Sequence, residues 1–556
     1  MRRRELLAGT TALGLAACRR APLVEPSEPR VCPPASPRPA PAAPPSPARR
    51  GTSPFQHGIA SGDPLHDRVI LWTRLTPPSP GTEIEARWEL AAEPSMRHVI
   101  AHGSAVASAA RDHTLKLDVT GLEPDRAYYY RFEAQGHRSA IGRTRTLPVG
   151  SPSRLRLAFT SCSNYPYGYF NAYAHMARRA DLHAVLHLGD YLYEYENGRY
   201  GDGTPYGRLP DPAEHEIVTL ADYRARHAIY KTDPDLQELH RQHPMIAVWD
   251  DHELANDAWW GGAQNHQPEE GSWVDRRTAA VRAYREWMPI RELPTDPVGQ
   301  IQRSFRFGDL LDLVMLDTRL VGRDQQADWR AEDYAKVIAD PRRSLLGPAQ
   351  EAWLAQQLVR SRDDGVAWRV LGQQVLMGQL RPRALGDWIN ADMWDGYPPA
   401  RRRLLDQVAT QRIEDLVVLT GDIHSSWAFE LAAEPFGRGY DPVSGKGVLG
   451  VELVTPAVSS PSPVKVEQLE RERMVLASHP HLRWLELRHR GYVLLDIDRE
   501  RTVAEWHHVE SIEERSDRTS LAKALATARG RPGLREHEGV TRAIADAPAP
   551  APSEEG

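Results

Sequence analysis

Four apolar, strand-like runs in this chain stop abruptly, and each stops on residues that bind metal. "LAFT" leads into "SCSN" and delivers Cys162. "AVLHLG" leads to Asp190, with Tyr193 three residues on. "MIAVW" leads to Asp250, Asp251 and His252, with Asn256 close behind. "LVVLTG" leads to Asp422 and His424. In open α/β sheets, sites form outside the carboxyl ends of the strands, so distant segments can converge at one edge. Each piece alone has a plainer reading. Gly189-Asp190 reads as a turn with an Asx hydrogen bond, Tyr193 as a packing aromatic, Cys162 as a small buried hydrophobe, and Asp250-Asp251 as a helix N-cap pair. Asp422-x-His424 reads as a loop hydrogen bond. These plain readings must all hold at once, each just past a strand, so the joint reading is a metal cluster.

The text around these runs fits an α/β domain. From Leu155, strand-like and helix-like segments alternate. "TLADYRARHAIY" carries Thr219 and Asp222 at capping-box spacing and predicts a helix. "GPAQEAWLAQQLVRS" predicts another, with proline near its start. "FRFGDLLDLVMLD" predicts a strand pair, and "RGYVLLDIDRERTVAEWHHV" closing β structure. Residues 55–148 look all-β, and "GLEPDRAYYYRF" resembles the corner of a fibronectin type III-like sandwich. The expected organisation is an export signal over 1–18, a tether over 19–54, the β-rich region over 55–148, the catalytic domain over 149–513 and a tail over 514–556. That tail is expected to hold one helix at most and otherwise to be disordered.

The donor types divide by hardness. Thiolate, phenolate and imidazole (Cys162, Tyr193, His424) favour a trivalent Lewis acid such as ferric iron. Carboxylates and an amide (Asp251 or Asn256, and Asp422) favour calcium, manganese or magnesium. Asp190, fixed by the turn at Gly189, is the natural bridge. A bridged pair suits in-line displacement at phosphorus, because one ion makes a hydroxide and the other neutralises the non-bridging oxygens.

Composition narrows the context. The chain has 556 residues, of which 41% are hydrophobic and 26% charged, as expected of a globular protein with a large core. Its formal net charge of −6 gives no global basic field, so no nucleic-acid binding is expected beyond a substrate role. Many of the 45 prolines lie between Pro22 and Pro54, in a segment that cannot bury a core. The opening "MRRRELLAGTTALGLAACRR" has a basic start and an apolar run too short for a membrane span. Arg3 and Arg4 resemble a twin-arginine signal, and "LAAC" resembles the box at which lipoproteins are cleaved and acylated, here on Cys18. The plainer reading is a signal cut after an Ala-x-Ala-like site. With Cys18 lipidated and Cys32 in the tether, Cys162 has no folded partner, and a disulfide framework is not expected.

The order Gly-Asp-x-x-Tyr, Asp-Asp-His-Glu, Gly-Asp-x-His resembles the blocks of the calcineurin-like metallophosphoesterases. The spellings "SCSN", "HLGDYLYEY", "VWDDHE" and "LTGDIHSS", with "GIASGDP" in the β-rich region, resemble one branch, the PhoD-type alkaline phosphatases and phosphodiesterases. The likeness runs from Phe55 to about His508. It implies an α/β (α+β) metallophosphoesterase sandwich, two central sheets flanked by helices, preceded by an all-β fibronectin type III-like domain. It implies Fe3+ and Ca2+, with Mn2+ or Mg2+ as substitutes. Cys162, Asp190, Tyr193 and His424 map onto the iron positions, with Asp190 shared, and Asp422 maps onto the calcium half. Asp251 stands where the wider superfamily has asparagine, and Asn256 is the reserve ligand. His252 is expected to contact phosphate or protonate the leaving group, with Glu253 orienting it. Asn164, Arg381 and Arg383 are candidate substrate contacts, and "MWDGYP" either lines the mouth or packs.

The implied activity is hydrolysis of phosphate esters by an exported enzyme of the periplasm or cell surface. Its expected partners are the substrate, the twin-arginine machinery and a membrane reached through the lipid on Cys18. It is expected to act as a monomer. Export of a folded protein would allow metal loading beforehand, sealing Cys162 before it met an oxidising compartment. Two other readings stand beside this one: a phospholipase D-like phosphodiesterase, and a non-catalytic surface lipoprotein that binds a glycan or peptide.

Overall fold

The computed structural model describes residues 53–292, 299–381, 390–463 and 469–553. The signal, Cys18, nearly all of the proline-rich tether, and Arg383 lie outside the described residues. No described helix is long and apolar enough to cross a membrane.

Two large sheets carry the architecture, one of ten strands and one of seven. Their central strands are parallel. Arg154–Thr160, Ala184–His187 and Pro244–Ala247 lie side by side in the first sheet. Leu311–Met315, Trp368–Gly372, Leu416–Thr420 and Gly450–Val454 do so in the second. These are the aliphatic runs of the sequence, and their burial along nearly the whole length is what parallel strands covered on both faces require. Alternation sorts the side chains of the second sheet. Leu313, Met315, Val417 and Leu419 face a core shared with Leu157, Phe159 and Leu186 of the first sheet. Val314, Leu371 and Val418 face a second core with Leu354, Leu358 and Leu404, from the helices Gly347–Asp363 and Pro398–Thr410. The helix Leu220–Tyr230 opens with the expected capping box, in which Thr219 Oγ1 accepts from the Asp222 amide and Asp222 accepts from the Thr219 amide.

The β-rich region is joined to the rest by hydrogen bonds. Ile84–Ala91, Val99–Ala107, Ala127–Ala134, His137–Arg138 and Gly142–Arg145 form a five-stranded antiparallel sheet. Ile59–Gly62, Arg68–Arg74 and Thr114–Thr120 belong instead to the ten-stranded sheet, where Ser61 pairs in parallel with Pro244. No break in the ladder falls at residue 148, because strands from both sides of it share one sheet. The corner read from "GLEPDRAYYYRF" forms a local clasp: the Glu123 amide donates to Tyr128 Oη at 2.8 Å.

The C-terminal segment differs from the expected tail. Thr519–Ala528 and Arg531–Glu536 form a hairpin at the edge of the ten-stranded sheet. Beyond it, side chains of the body hold a proline-rich strap. Tyr129 Oη donates to the Ala549 carbonyl at 2.6 Å, Arg143 Nη1 to Pro548 at 3.1 Å, and Arg241 Nη1 to Pro552 at 2.7 Å. The expected helix does not form here: "TSLAKALATA" is strand. Edge position tolerates small and charged residues, and donors from elsewhere satisfy carbonyls that no ladder reaches.

Candidate metal centre

The site lies where the parallel strands end. An extension of the ladder holds the first two loops together: the Cys162 amide donates to the Gly189 carbonyl at 3.1 Å and the Ser163 amide to Asp190 at 2.8 Å. Thirteen described non-glycine residues have positive φ, and four are Cys162 (63°), Asp190 (54°), Asp422 (61°) and His424 (54°). Such backbone costs roughly 1–3 kcal/mol per residue and persists only where the surroundings hold it. Here it turns four donor side chains into one space. Gly189, at φ 103°, lets the second and third loops touch, since a Cβ there would lie 2.4 Å from both Asp250 N and Asp250 Cβ. Glu253 fastens the same contact. Its carboxylate accepts from the amides of Tyr191 (2.7 Å), Asp250 (2.8 Å) and Asp190 (3.1 Å).

One group of donors surrounds the Tyr193 phenol. Tyr193 Oη donates to Asp190 Oδ2 at 2.8 Å and lies 3.1 Å from His424 Nε2. Donor atoms of Cys162, Asp190 and His424 lie within 4.8 Å of one another. His424 Nδ1 donates to the Pro461 carbonyl at 2.9 Å, which leaves the Nε2 lone pair turned to the cluster, the arrangement of a metal-binding histidine. Ser460 Oγ donates to Tyr193 Oη at 2.7 Å.

The second group is acidic. Donor oxygens of Asp250, Asp251 and Asp422 lie within 4.8 Å of one another, as do donor atoms of Asp190, Asp251 and His252. Arg319, with no exposed surface, runs through this group. It donates from Nε to Asp250 Oδ1, from Nη1 to both Asp392 oxygens at 2.8 and 2.7 Å, and from Nη2 to Asp422 Oδ1 at 3.1 Å. Nη2 is also 3.3 Å from Asp251 Oδ1. Asp392 is shared with Arg323 (2.6 Å) and Gln326 (2.5 Å).

Electrostatics point to missing positive charge. Burial, then the Asp190 charge, pushes the Cys162 thiol well up, and the same two causes raise the Tyr193 phenol. Burial also raises Asp250, Asp251 and Asp422 against the pull of Arg319. Burial would raise Asp190 too, but His252 and His424 outweigh it and hold its carboxyl at about 2. Two buried carboxylate oxygens, Asp190 Oδ1 and Asp250 Oδ2, have no hydrogen-bond partner among the described residues. Unpartnered anionic oxygens beside a thiol, a phenol and an oriented imidazole fit bound cations. Cys162, Asp190, Tyr193 and His424 would hold one, and Asp190, Asp250, Asp251 and Asp422 a second.

The expected residues divide on inspection. Cys162, Asp190, Tyr193, Asp251, His252, Asp422 and His424 come together. Asn256 does not: its amide donates to Gln264 at 3.1 Å, while Asp251 points into the cluster, braced by the Asp257 amide at 2.6 Å. Arg381 is exposed, and its guanidinium is spent on the Ser478 carbonyl and the Phe436 ring. Asn164 is 1% exposed and donates to the Tyr200 carbonyl at 2.8 Å, so it places Tyr200. His252 is oriented by Glu194, not Glu253: Nδ1 donates to Glu194 Oε2 at 2.7 Å. The side chains of Met393, Trp394 and Tyr397 in "MWDGYP" are buried, and they pack. Sequence reasoning named Asp250 at its strand end without assigning it as a ligand, and it missed Glu194, Arg319 and Asp392. Only Asp250 and Glu194 had a signal, since they sit inside the motifs "VWDDHE" and "HLGDYLYEY".

Known proteins resemble this chain over most of its length. The family model "PhoD-like phosphatase" matches residues 157–506, and "PhoD-like phosphatase, N-terminal domain" matches residues 40–148. Alkaline phosphatase D of Bacillus subtilis (strain 168) is 34% identical over 503 residues, covering 88% of this chain and 83% of that protein. A solved structure of PhoD superposes with a TM-score of 0.79 at 33% identity, covering 89% of this chain and 94% of that one. The chain belongs to the PhoD-like phosphatase family.

Proposed function

We propose that this chain hydrolyses phosphate esters at a two-metal centre, as an alkaline phosphatase that also accepts phosphodiesters. The observation that carries the reading is the convergence of two donor groups on one buried carboxylate, Asp190. The alkaline phosphatase name of the Bacillus subtilis relative supports it. No observation favours a phospholipase D-like preference or a non-catalytic surface role.

In this reading Cys162, Tyr193 and His424 hold ferric iron, because thiolate and phenolate suit a trivalent ion. Asp250, Asp251 and Asp422 hold calcium, for which manganese or magnesium could substitute. Asp190 serves both. Bound there, the cations would make a water more acidic and neutralise the phosphoryl oxygens during in-line displacement. The chain's own side chains do the rest. Ser460 and Asp190 fix the phenol of Tyr193 between them. Arg319 fixes Asp250 and Asp422. Glu194 fixes the His252 ring through Nδ1, and against burial the charges of Glu194, Asp190 and Asp251 keep the ring protonated, so Nε2–H can give its proton to the leaving oxygen. We read the two large sheets as the metallophosphoesterase sandwich and the β-rich region as fibronectin type III-like. The protein is exported by the twin-arginine route, held at the periplasmic or outer cell surface by a lipid on Cys18, and works as a monomer.

One experiment tests site and location together. Cells producing the full chain are fractionated and assayed with p-nitrophenyl phosphate and its bis-ester. Activity is expected in the membrane fraction, lost on adding EGTA and restored by calcium. Activity that is indifferent to EGTA, or confined to the cytosol, contradicts the reading.

A further inference from the structure

Arg490 lies between the strands Leu482–Glu486 and Gly491–Asp498 and is half-buried. Its Nε donates to the Ser460 carbonyl at 2.7 Å, and its Nη1 to the Arg488 carbonyl. The first bond places it one residue from the metal centre, because Ser460 Oγ donates to Tyr193 Oη and Pro461 accepts from His424. Its other partner is the Tyr167 hydroxyl, a neutral group, and no described carboxylate lies within 4.0 Å of this guanidinium. That sets it apart from the two fully buried arginines of the acidic group. Arg319 is committed to Asp250, Asp392 and Asp422, and Arg323 to Asp392.

The surroundings of Arg490 are phenolic. Tyr167 and Tyr200 both act on its charge, and Glu486, the acidic group that does so, is bonded to Arg488 and His489. Tyr200 links this corner to the reacting centre. Its hydroxyl is 3.4 Å from His424 Nδ1, and its ring stacks on His252 at 6.0 Å and 22°. The Asn164 amide holds the Tyr200 carbonyl from behind. A partly desolvated guanidinium without a counter-ion is unfavourable, and an arriving anion offsets that cost through paired, charge-assisted hydrogen bonds.

We propose that Arg490, flanked by Tyr167 and Tyr200, forms a subsite for a second anionic group on the phosphate ester, beside the phosphoryl group being cleaved. The proposal rests on the phosphate-ester reading above. The second group is a phosphate or a carboxylate, since a planar guanidinium fork grips either. The subsite selects esters whose leaving group is itself charged.

The test compares three esters in wild type and Arg490→Gln: p-nitrophenyl phosphate, with an uncharged leaving group; 3-phosphoglycerate, with a carboxylate; and fructose 1,6-bisphosphate, with a second phosphate. The ratio of kcat/KM for a charged ester to that for p-nitrophenyl phosphate is expected to fall about tenfold or more in the variant, through KM. A fall confined to one charged ester assigns the group to that chemistry. A ratio within about twofold of wild type for both charged esters overturns the proposal, and marks Arg490 as a brace for the Ser460 carbonyl. Arg490→Lys keeps the charge and loses the fork, so it carries the same comparison if the glutamine variant does not fold. If wild type cleaves none of the esters, the phosphatase reading fails separately. Calorimetric binding of fructose 1,6-bisphosphate to wild type and variant then still decides the subsite, and equal affinities overturn it.

Discussion

Asp190→Asn is expected to lower kcat/KM on p-nitrophenyl phosphate by about 1,000-fold or more, which corresponds to roughly 4 kcal/mol of transition-state stabilisation. Asp190 belongs to both donor groups, the one with Cys162 and His424 and the one with Asp251 and His252. Its Oδ2 also fixes the Tyr193 phenol at 2.8 Å, while its Oδ1 is buried without a hydrogen-bond partner among the described residues. The amide keeps the shape of the side chain but removes the one charge that both cations share. Both metals should therefore fall in occupancy, which elemental analysis reads directly. The metal-free variant should be less stable than metal-free wild type, because His252 and His424 favour the Asp190 charge in the fold. Activity within tenfold of wild type at full metal content would show that Asp190 is not shared.

Arg319→Met is expected to destabilise the protein by about 3–5 kcal/mol, the usual cost of removing one partner from a buried ion pair. Asp392 would retain Arg323 and Gln326. Asp250 would retain nothing of opposite charge within salt-bridge reach, and it is wholly buried. Arg319→Lys should recover only part of the loss, since an ammonium cannot reach Asp250, Asp392 and Asp422 together as the guanidinium does. Arg319→Met combined with Asp250→Asn removes both ends of one pair and should cost less than Arg319→Met alone. Unfolding in denaturant of protein held in EGTA separates this structural role from metal binding. A single-variant loss below about 1 kcal/mol would contradict the assignment.

What the sequence discloses here follows from distance along the chain. The strands that carry donors are short apolar runs closed by Ser-Cys, Gly-Asp or Asp-Asp, so the strand and the donor at its tip are read together. Cys162, Asp190, Tyr193, Asp422 and His424 were legible for that reason. Asp251 and Asn256 could not be separated, because both follow the same strand and only the fold shows which side chain turns inward. Contiguity also misled. Glu253 adjoins His252 in sequence but caps the backbone of the Gly189-Asp190 turn, while Glu194, 58 residues away, holds the imidazole. Arg319 and Asp392 left no trace, since an arginine after "VMLDT" reads as a solvated end, not the fully buried hub of an acidic cluster. The C-terminal hairpin was hidden by alanines, and the strap by prolines whose carbonyls are held from distant segments. The sheet shared across residue 148 was not legible either, because it pairs Ser61 with Pro244, 183 residues apart.

The central claim is that side chains from three strand ends close on one iron. Crystals of natively exported protein, measured on both sides of the iron absorption edge, test it directly. The account predicts one strong anomalous peak within bonding distance of Cys162 Sγ, Tyr193 Oη, His424 Nε2 and an Asp190 carboxylate oxygen. A peak elsewhere, or a thiol and phenol that remain unligated in metal-replete protein, would contradict it.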